Sequence, residues 1–387
     1  WQGITTEVGR KNLEQIADHY RTAQKLGRQM PSEALWRYAQ VLAALGDDEA
    51  ALGIVDQMPL ESASRRHEIV KSLGQRAVQT DPDPSSEKVA NLLRRFEAEI
   101  AQEPSASVRR REKIWSMRLR AERLLRAGDE QAVIRMLVEG GLMRLKNGGA
   151  SDLDLAPLNI VLGEAYALEE SFVDARHRFD AADRHLEPGH EMYARVLVGL
   201  ADLELAESTQ GHIERAFGLY HQAFLDAPQG PSAIHAKIGE AHTEAYRENR
   251  FKEALEAFGL AAERLTNDQV PDWDPRRVKL VHYLDVHIQR ELETASYENA
   301  LALLHVVEPL MGEDGDTTLI HRFAETYRHL GDASLKLAGD LQGQPGDDPH
   351  VEARRIHNQD AAVYYEQAAR AFRREAVLLE AKADEHG

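Results

Sequence analysis

Apolar residues recur along this chain at intervals of three and four, the spacing that places side chains on one face of an α-helix. Within 10–28, for example, Leu13, Ile16, Ala17 and Tyr20 follow this spacing. In the first 147 residues the pattern predicts helices at 10–28, 33–45, 48–58, 62–79, 86–101, 106–127 and 130–146. No two strand-like runs flank an Asn-Gly or Asp-Gly turn, so the sequence predicts an all-α protein.

Glycine and aspartate mark several predicted helix ends. Gly46-Asp47 and Gly128-Asp129 carry the same stop-and-start signal, in which Gly ends one helix and Asp begins the next. In the second half of the chain, Asp274 before a proline predicts a helix start with the proline at the first helical position.

The second half of the chain predicts a series of similar helical hairpins. Residues 157–188 form the clearest one: Leu162 and Tyr166 share a face of its first helix, and Ala175 and Phe179 share a face of its second. Four second helices align as small, large, and small or medium residues: Ala175/Phe179/Ala182, Ala216/Tyr220/Ala223, Ala254/Phe258/Ala261 and Ala300/Leu304/Val307. Each hairpin retains an apolar outer face and therefore needs a neighbouring hairpin to bury it.

This recurrence resembles the tetratricopeptide repeat, which has an apolar-Gly pair and a Tyr in its first helix and an Ala, a large apolar residue and an Ala in its second. Residues 157–188 carry that pattern at Leu162, Gly163, Tyr166, Ala175, Phe179 and Ala182. The later repeats depart from it, since His242 stands where the Tyr is expected and the first-helix Trp is missing. The resemblance implies a right-handed superhelical solenoid of antiparallel helical hairpins with a non-enzymatic, protein-binding role.

Two stretches break the helical pattern and suggest boundaries. Residues 147–151 are rich in Gly and Ser, and residues 342–349 are rich in Gly, Pro and Asp. We therefore predict divergent helical hairpins in 1–147, a repeat array in 148–341, and a long capping helix in 342–387.

Composition narrows the classes of partner. The 387 residues carry a formal net charge of -18, which opposes binding to nucleic acid or to an anionic membrane. The chain contains no cysteine, so disulfides and thiol catalysis are excluded. It begins with Trp1 rather than Met. A signal peptide, a membrane anchor and a trimmed terminus are therefore open alternatives for what precedes it, and both a cytoplasmic and a membrane-tethered location remain open.

Catalytic and cofactor motifs are missing from the sequence, which has no GxGxxG, Walker A, GxSxG or HExxH pattern. Seventeen histidines invite a search for metal ligands. His235 and His242 lie seven residues apart with Glu240 nearby, but no third ligand is obvious. His282 and His287 likewise lack one. We expect no metal, no cofactor and no enzymatic activity.

Tetratricopeptide arrays usually bind peptides in a groove lined by their first helices. In the present register the groove-lining candidates are Glu164, Tyr193, Leu200, Lys237, Glu240, Thr243, Glu244 and Arg247. Some family members use a basic clamp for chaperone C-termini, and of the matching positions here only Lys237 fits. The three glutamates favour a basic or mixed ligand, while the alternative is that these are ordinary solvent-facing residues.

Segment 105–126 has a strong local basic charge. Eight basic residues stand against two acidic ones, Glu112 and Glu122. One interpretation is a docking patch for an anionic partner or a lipid headgroup. The alternative, which the acidic remainder of the chain favours, is a solvated helix face paired with nearby carboxylates.

The sequence as a whole predicts a scaffold that binds a protein or peptide and organises a multiprotein complex. Two alternatives remain open. One is a structural subunit that self-associates through its end helices, giving a homo-oligomer. The other is an enzyme or a solute-binding arm on a superhelical scaffold.

Overall fold

In the computed structural model the described residues are 7–81, 83, 86–189, 191–247, 249–272, 274–311, 317–340 and 351–385. Within them the chain is all-α and contains no strand, which confirms the predicted fold class. The predicted loop 342–349 lies outside the described residues. The chain divides into two compact units, Trp1–Glu187 and Pro188–Gly387. The right-handed superhelical course stays a prediction.

The helices of the first unit lie close to the predicted ones. They are α1 (Glu7–Lys25), α2 (Ser32–Leu45), α3 (Asp48–Gln57), α4 (Ala63–Thr80), α5 (Glu87–Ala101), α6 (Ala106–Arg126), α7 (Glu130–Met136), α8 (Leu142–Asn147), α9 (Asp152–Leu168) and α10 (Phe172–Asp183). A short 3-10 turn, Leu60–Ser62, precedes α4, and a π-helical segment, Leu137–Gly141, joins α7 to α8.

The two Gly-Asp pairs end one helix and begin the next, as predicted. Gly46 adopts a left-handed backbone conformation after α2, and the Asp47 side chain accepts a hydrogen bond from the Ala50 amide at 3.2 Å. At the second site Asp129 accepts from the Ala132 amide at 3.0 Å. Each Asp satisfies one of the amides that a helix start leaves without a partner.

The predicted boundary at 147–148 stays a prediction, and apolar packing is continuous across it. One apolar core joins α6, α7 and α9 across this stretch, with Ile114, Val133 and Leu162 among its buried members. Ser151 caps a helix in this stretch: its hydroxyl accepts from the Asp154 amide at 3.1 Å, and Asp154 accepts from the Ser151 amide at 2.8 Å. This capping box starts α9 inside the first unit, which extends to Glu187.

The predicted single helix 130–146 is interrupted by the π-helical segment. The interruption falls on the Gly140-Gly141 pair. A Cβ on Gly141 would lie 2.7 Å from the Met117 methyl and 2.8 Å from the Met136 carbonyl, so only glycine fits there. The extra residue of the π turn changes the direction in which α8 presents its side chains.

The second unit consists of α11 (Glu191–Glu207), α12 (His212–Asp226), α13 (Pro231–Glu244), α14 (Phe251–Asn267), α15 (Pro275–Glu293), α16 (Tyr297–Val307), α17 (Thr317–Asp340) and α18 (Val351–Glu385). Asp274 and Pro275 begin α15 as predicted, and the Asp274 side chain accepts from the Arg276 amide at 2.9 Å. Helices α11 with α12, α13 with α14, α15 with α16, and α17 with α18 pack as consecutive hairpins. The first helices of these hairpins are α11, α13, α15 and α17.

The small and large positions of the repeat are buried as their spacing predicts. Ala175, Phe179 and Ala182 are at most 1% exposed, and the equivalent residues of the later hairpins are at most 3% exposed. Glycine lets the first and second helices approach. A Cβ on Gly163 would lie 3.0 Å from the Phe179 ring, and one on Gly239 would overlap the ring of Tyr220.

Candidate functional site

Polar and aromatic side chains from three successive first helices of the second unit, together with one from the second helix α12, meet in one group. This group, termed the first-helix cluster, consists of Asp202 from α11, His235 and His242 from α13, Lys279, Tyr283 and His287 from α15, and Tyr220 from α12. The three α15 members are spaced by four residues, so they share one face of that helix. The cluster therefore links helices that are distant in sequence.

An ion pair forms one half of the cluster. The Lys279 ammonium donates to Asp202 Oδ1 at 2.6 Å, and the Tyr220 hydroxyl donates to the same oxygen. Burial works against the charge of Lys279, but the Asp202 carboxylate and the Tyr283 hydroxyl outweigh it and raise the lysine pKa. Burial, with the charge of Asp202, also raises the pKa of Tyr220 well above its usual value. Lys279 therefore stays charged and Tyr220 stays protonated at neutral pH.

Two imidazoles form the other half. His287 Nε2 and His242 Nδ1 share a hydrogen bond of 3.0 Å, and His242 stacks on the Tyr283 ring with 3.7 Å between centroids. Burial, followed by the charges of His287 and Lys279, lowers the pKa of His242 to about 3. Burial, followed by the charge of Arg290, lowers the pKa of His287 to about 4. Both rings are therefore neutral near pH 7.

Within the cluster, one nitrogen on each of two histidines has no hydrogen-bond partner among the described residues. These atoms are His287 Nδ1 and His235 Nε2, and both are buried. Burial and the nearby Lys279 charge lower the pKa of His235 to about 3. If His287 donates from Nε2, its Nδ1 is a lone pair, which is less costly to bury than an N–H or a charge.

The protonation states limit what the cluster can do chemically. Its three histidines titrate far below pH 7, whereas the pKa values of Lys279 and the two tyrosines lie above their usual ones. Proton transfer near neutral pH needs a group that titrates there, and these shifts move each of the six groups away from it. Asp202 keeps 41% of its side chain exposed, and Tyr246 and His282 are exposed beside the imidazoles. This exposed edge presents acceptor, donor and ring surfaces to a ligand.

Four of the predicted groove residues are paired with one another on α13 and just beyond it. Lys237 donates to Glu240 at 2.7 Å, and the carboxylate of Glu240 also meets His221 of α12 at 3.1 Å. Arg247 donates to Glu244 at 2.9 Å, and a second arginine, Arg250, approaches Glu244 at 3.5 Å. Lys237 and Arg247 also lie over the rings of α12 phenylalanines.

The remaining groove candidates are more dispersed. Thr243 is fully buried and donates to the carbonyl groups of Gly239 and Glu240, so it belongs to the interior and not to a groove surface. Tyr193 and Leu200 are half-buried on α11. Glu164 is half-buried on α9 of the first unit.

Sequence reasoning did not identify Asp202 or Lys279 as functional residues. They are 77 residues apart, and no motif connects them. The available signal was the spacing of Lys279, Tyr283 and His287, which puts a basic residue and two ring-bearing polar residues on one helix face. His235 and His242 were considered as metal ligands for the same reason of spacing.

The described part of the chain holds no group of three or more His, Asp or Glu residues that could bind a metal ion. Nor does any helix within it have the length and apolar character needed to cross a membrane. No model of a known protein family matches the chain, and no curated protein matches it. The geometry of the chain itself must therefore support any functional proposal.

Proposed function

We propose that this chain is a non-enzymatic scaffold of the tetratricopeptide type that binds another protein along the first helices of its second unit and organises a complex. The observation that carries the proposal is the first-helix cluster, in which side chains from α11, α13 and α15 meet. A surface built from successive repeats offers one ligand several contacts in a row, which is how helical-repeat arrays recognise extended peptides. The family role is an analogy that the repeat pattern supports.

The ion pairs of the groove glutamates bear on whether a basic partner is favoured. Glu240 and Glu244, which the sequence suggested as acidic contacts, already face Lys237 and Arg247 within the chain. A partner therefore gains little from charge at these positions, because an approaching cation would have to replace an internal one. Tyr246 and His282 offer exposed ring surfaces instead. We expect a protein or peptide of mixed polar and aromatic character at this edge.

The enzyme alternative receives less support from the same geometry. The pKa shifts move the three histidines, the lysine and the two tyrosines of the cluster away from neutral pH, so none of these six groups titrates there. A solute-binding arm would need an enclosed pocket at the cluster. The cluster instead has an exposed edge at Asp202 and Tyr246, which suits an extended ligand better.

Photocrosslinking tests the proposal directly. A p-benzoylphenylalanine in place of His282, on the exposed edge of the cluster, is expected to give a discrete crosslinked partner in cells. The same label in place of Leu260 is the matched control, because Leu260 is 62% exposed but lies on the second helix α14. Tyr246→Ala in the His282-labelled protein should reduce the adduct about tenfold, as the loss of a ring contact at an interface typically does. Equal adducts from both label positions, or none from His282, would contradict the proposal.

A second candidate function is self-association through α18. Ile356, Val363 and Val377 recur at multiples of seven residues and are 46%, 55% and 63% exposed. Ala361 and Ala368, on the opposite side of the helix, are buried within the unit. An apolar stripe at heptad spacing on a long helix is the pattern that pairs one helix with another copy.

Sedimentation velocity distinguishes this second candidate. Val363→Asp is expected to convert a dimer of the whole chain to a monomer, because a charge in an apolar helix seam is costly to bury. Ala369→Asp, at another exposed position of the same helix but off the stripe, is the control and should leave the dimer intact. A wild-type chain that sediments as a monomer at high concentration would exclude the self-association.

A further inference from the structure

The first unit contains a cavity of about 520 Å³ between α5, α6 and α8. Four of the residues that line it are cations: Arg109, Arg110 and Lys113 from α6, and Arg144 from α8. The volume falls in the range of sites that hold small organic molecules, roughly 300–1,000 Å³. The cavity is therefore large enough for a ligand and strongly basic.

The cations of the cavity have no carboxylate partner among the described residues. Arg110 donates to the Gly148 carbonyl at 2.8 Å, and Arg109 donates to two backbone carbonyls. Carbonyl oxygens orient these guanidinium groups. The charge of Arg110 also helps to lower the pKa of Asp154, after the hydrogen bonds from Ser151, but no carboxylate among the described residues forms an ion pair with either arginine. Lys113 and Arg144 are exposed and form no ion pair in the described part of the chain.

The one acidic residue in the lining is already neutralised. Glu97 accepts from Arg120 at 2.8 Å and from the Ser116 hydroxyl at 3.1 Å. Other cations of the basic segment 105–126 pair with carboxylates, as the alternative interpretation of the sequence expected. Arg111 lies 3.6 Å from Glu112, and Arg118 lies 3.8 Å from Glu122. Three cations of the segment thus form ion pairs with carboxylates, whereas those that line the cavity form none among the described residues.

Holding four like charges around one cavity is electrostatically unfavourable without an anion between them. The whole chain carries a net charge of -18, so it has ample carboxylates, yet none pairs with these four cations in the described residues. The π-helical segment Leu137–Gly141 comes directly before α8 and changes the direction in which Arg144 projects. Such π segments frequently occur at functional sites.

We propose that this cavity binds a small phosphate-bearing organic molecule. The planar guanidinium groups can each donate two parallel hydrogen bonds to phosphate oxygens, and the Lys113 ammonium adds a compact point charge. The apolar lining residues Ile100, Met117 and Leu145 would contact the carbon part of the ligand. This site is separate from the protein-binding surface proposed above, because all of its residues belong to the first unit.

Calorimetric titration of the whole chain with ADP, inorganic pyrophosphate and citrate tests the proposal. ADP is expected to bind, pyrophosphate to bind more weakly because it lacks the carbon part, and citrate to bind least. The double variant Lys113→Ala with Arg144→Ala should raise the Kd for ADP about 100-fold, tenfold for each charge removed. Both side chains are exposed, so the variant is expected to fold.

The matched control is Arg111→Ala with Lys146→Ala. These residues lie on the same two helices and two positions away from the tested ones, carry the same charge, and do not line the cavity. The control is expected to bind ADP with a Kd within about twofold of the wild type, since exposed charges outside the site act only through screened attraction. An equal loss in both double variants would show a general charge effect and overturn the proposal.

Lysine footprinting measures the acetylation of individual lysines in the wild-type protein, so it does not depend on whether a variant folds. ADP should protect Lys113 from acetylation and leave Lys146 unprotected. Three outcomes would overturn the proposal: no binding of any phosphate probe at about 1 mM, citrate binding more tightly than ADP, or binding only to vesicles that contain phosphatidic acid.

Discussion

Replacing Gly239 by alanine is expected to lower the free energy of unfolding of the second unit by about 3 kcal/mol. An added Cβ would overlap the ring of Tyr220 on α12. The ring cannot move aside, because Tyr220 is completely buried and its hydroxyl is held by Asp202. Either the α13 backbone must shift or the Tyr220–Asp202 hydrogen bond must break. The expected cost therefore lies at the upper end of the usual range for an overpacked site.

Thermal and urea unfolding measure this effect, and hydrogen exchange in α12 and α13 assigns it to the second unit. A melting temperature lower by roughly 6–12 °C is expected for a unit of this size. Gly259→Ala is the matched control: Gly259 also lies inside a helix, α14, but a Cβ there meets nothing within 4 Å. That variant should gain about 0.5–1 kcal/mol from helix propensity.

A compensating variant sharpens the prediction for Gly239. Adding Tyr220→Leu to Gly239→Ala removes the ring that the new methyl group meets. The double variant should therefore be less destabilised than the sum of the two single variants, because the two sites are in direct contact. Strict additivity, or a Gly239→Ala variant as stable as the wild type, would mean that the helices α12 and α13 do not approach as closely as described.

Acidification is expected to destabilise the second unit before carboxylates begin to titrate. Burial lowers the folded-state pKa of His242 to about 3 and that of His287 to about 4, whereas an unfolded histidine has a pKa of about 6.5. Below about pH 6.5 these two imidazoles bind protons in the unfolded chain but stay neutral in the folded chain. The contribution of the two neutral histidines to the free energy of unfolding is therefore fully present above about pH 6.5 and is lost as the pH falls towards 4. Between pH 7 and 5 the loss is about 2 kcal/mol for each ring.

Urea unfolding at a series of pH values checks the size and sign of this dependence. His287→Leu should remove one titrating ring and flatten the dependence between pH 7 and 5 by about 2 kcal/mol. His177→Gln is the control, since His177 is exposed and lies in the first unit, so its loss should leave the slope unchanged. The Lys279 and Arg290 charges next to the imidazoles act in the same direction, while Glu291 opposes them. A stability that is constant between pH 7 and 5 would contradict the buried, neutral histidines.

The helices and their ends could be predicted because their signals are local. The three-to-four spacing of Leu13 and its neighbours, the Gly46-Asp47 turn and the Asp274 cap each involve residues within one turn of the helix. The burial of Phe179 and its equivalents followed from the same periodicity. These features depend on backbone geometry that neighbouring residues fix among themselves.

The Gly-rich stretch 147–151 carries a local signal that has two interpretations. Glycine and serine are common both in linkers between domains and in the stop and start of adjoining helices. The sequence alone does not distinguish the two. In the structure one core joins α6, α7 and α9 across this stretch, and the first compact unit extends to Glu187.

By itself the sequence determined the all-α class, most helix boundaries and the buried positions of the hairpins. The tertiary structure decided which side chains meet: Lys279 with Asp202, His287 with His242, and Arg144 with the basic face of α6. The physical reason is that helical periodicity fixes which face of a helix a residue occupies, whereas its partner depends on how separate helices pack. That packing is set by contacts such as Gly239 against Tyr220, between residues that lie on different helices.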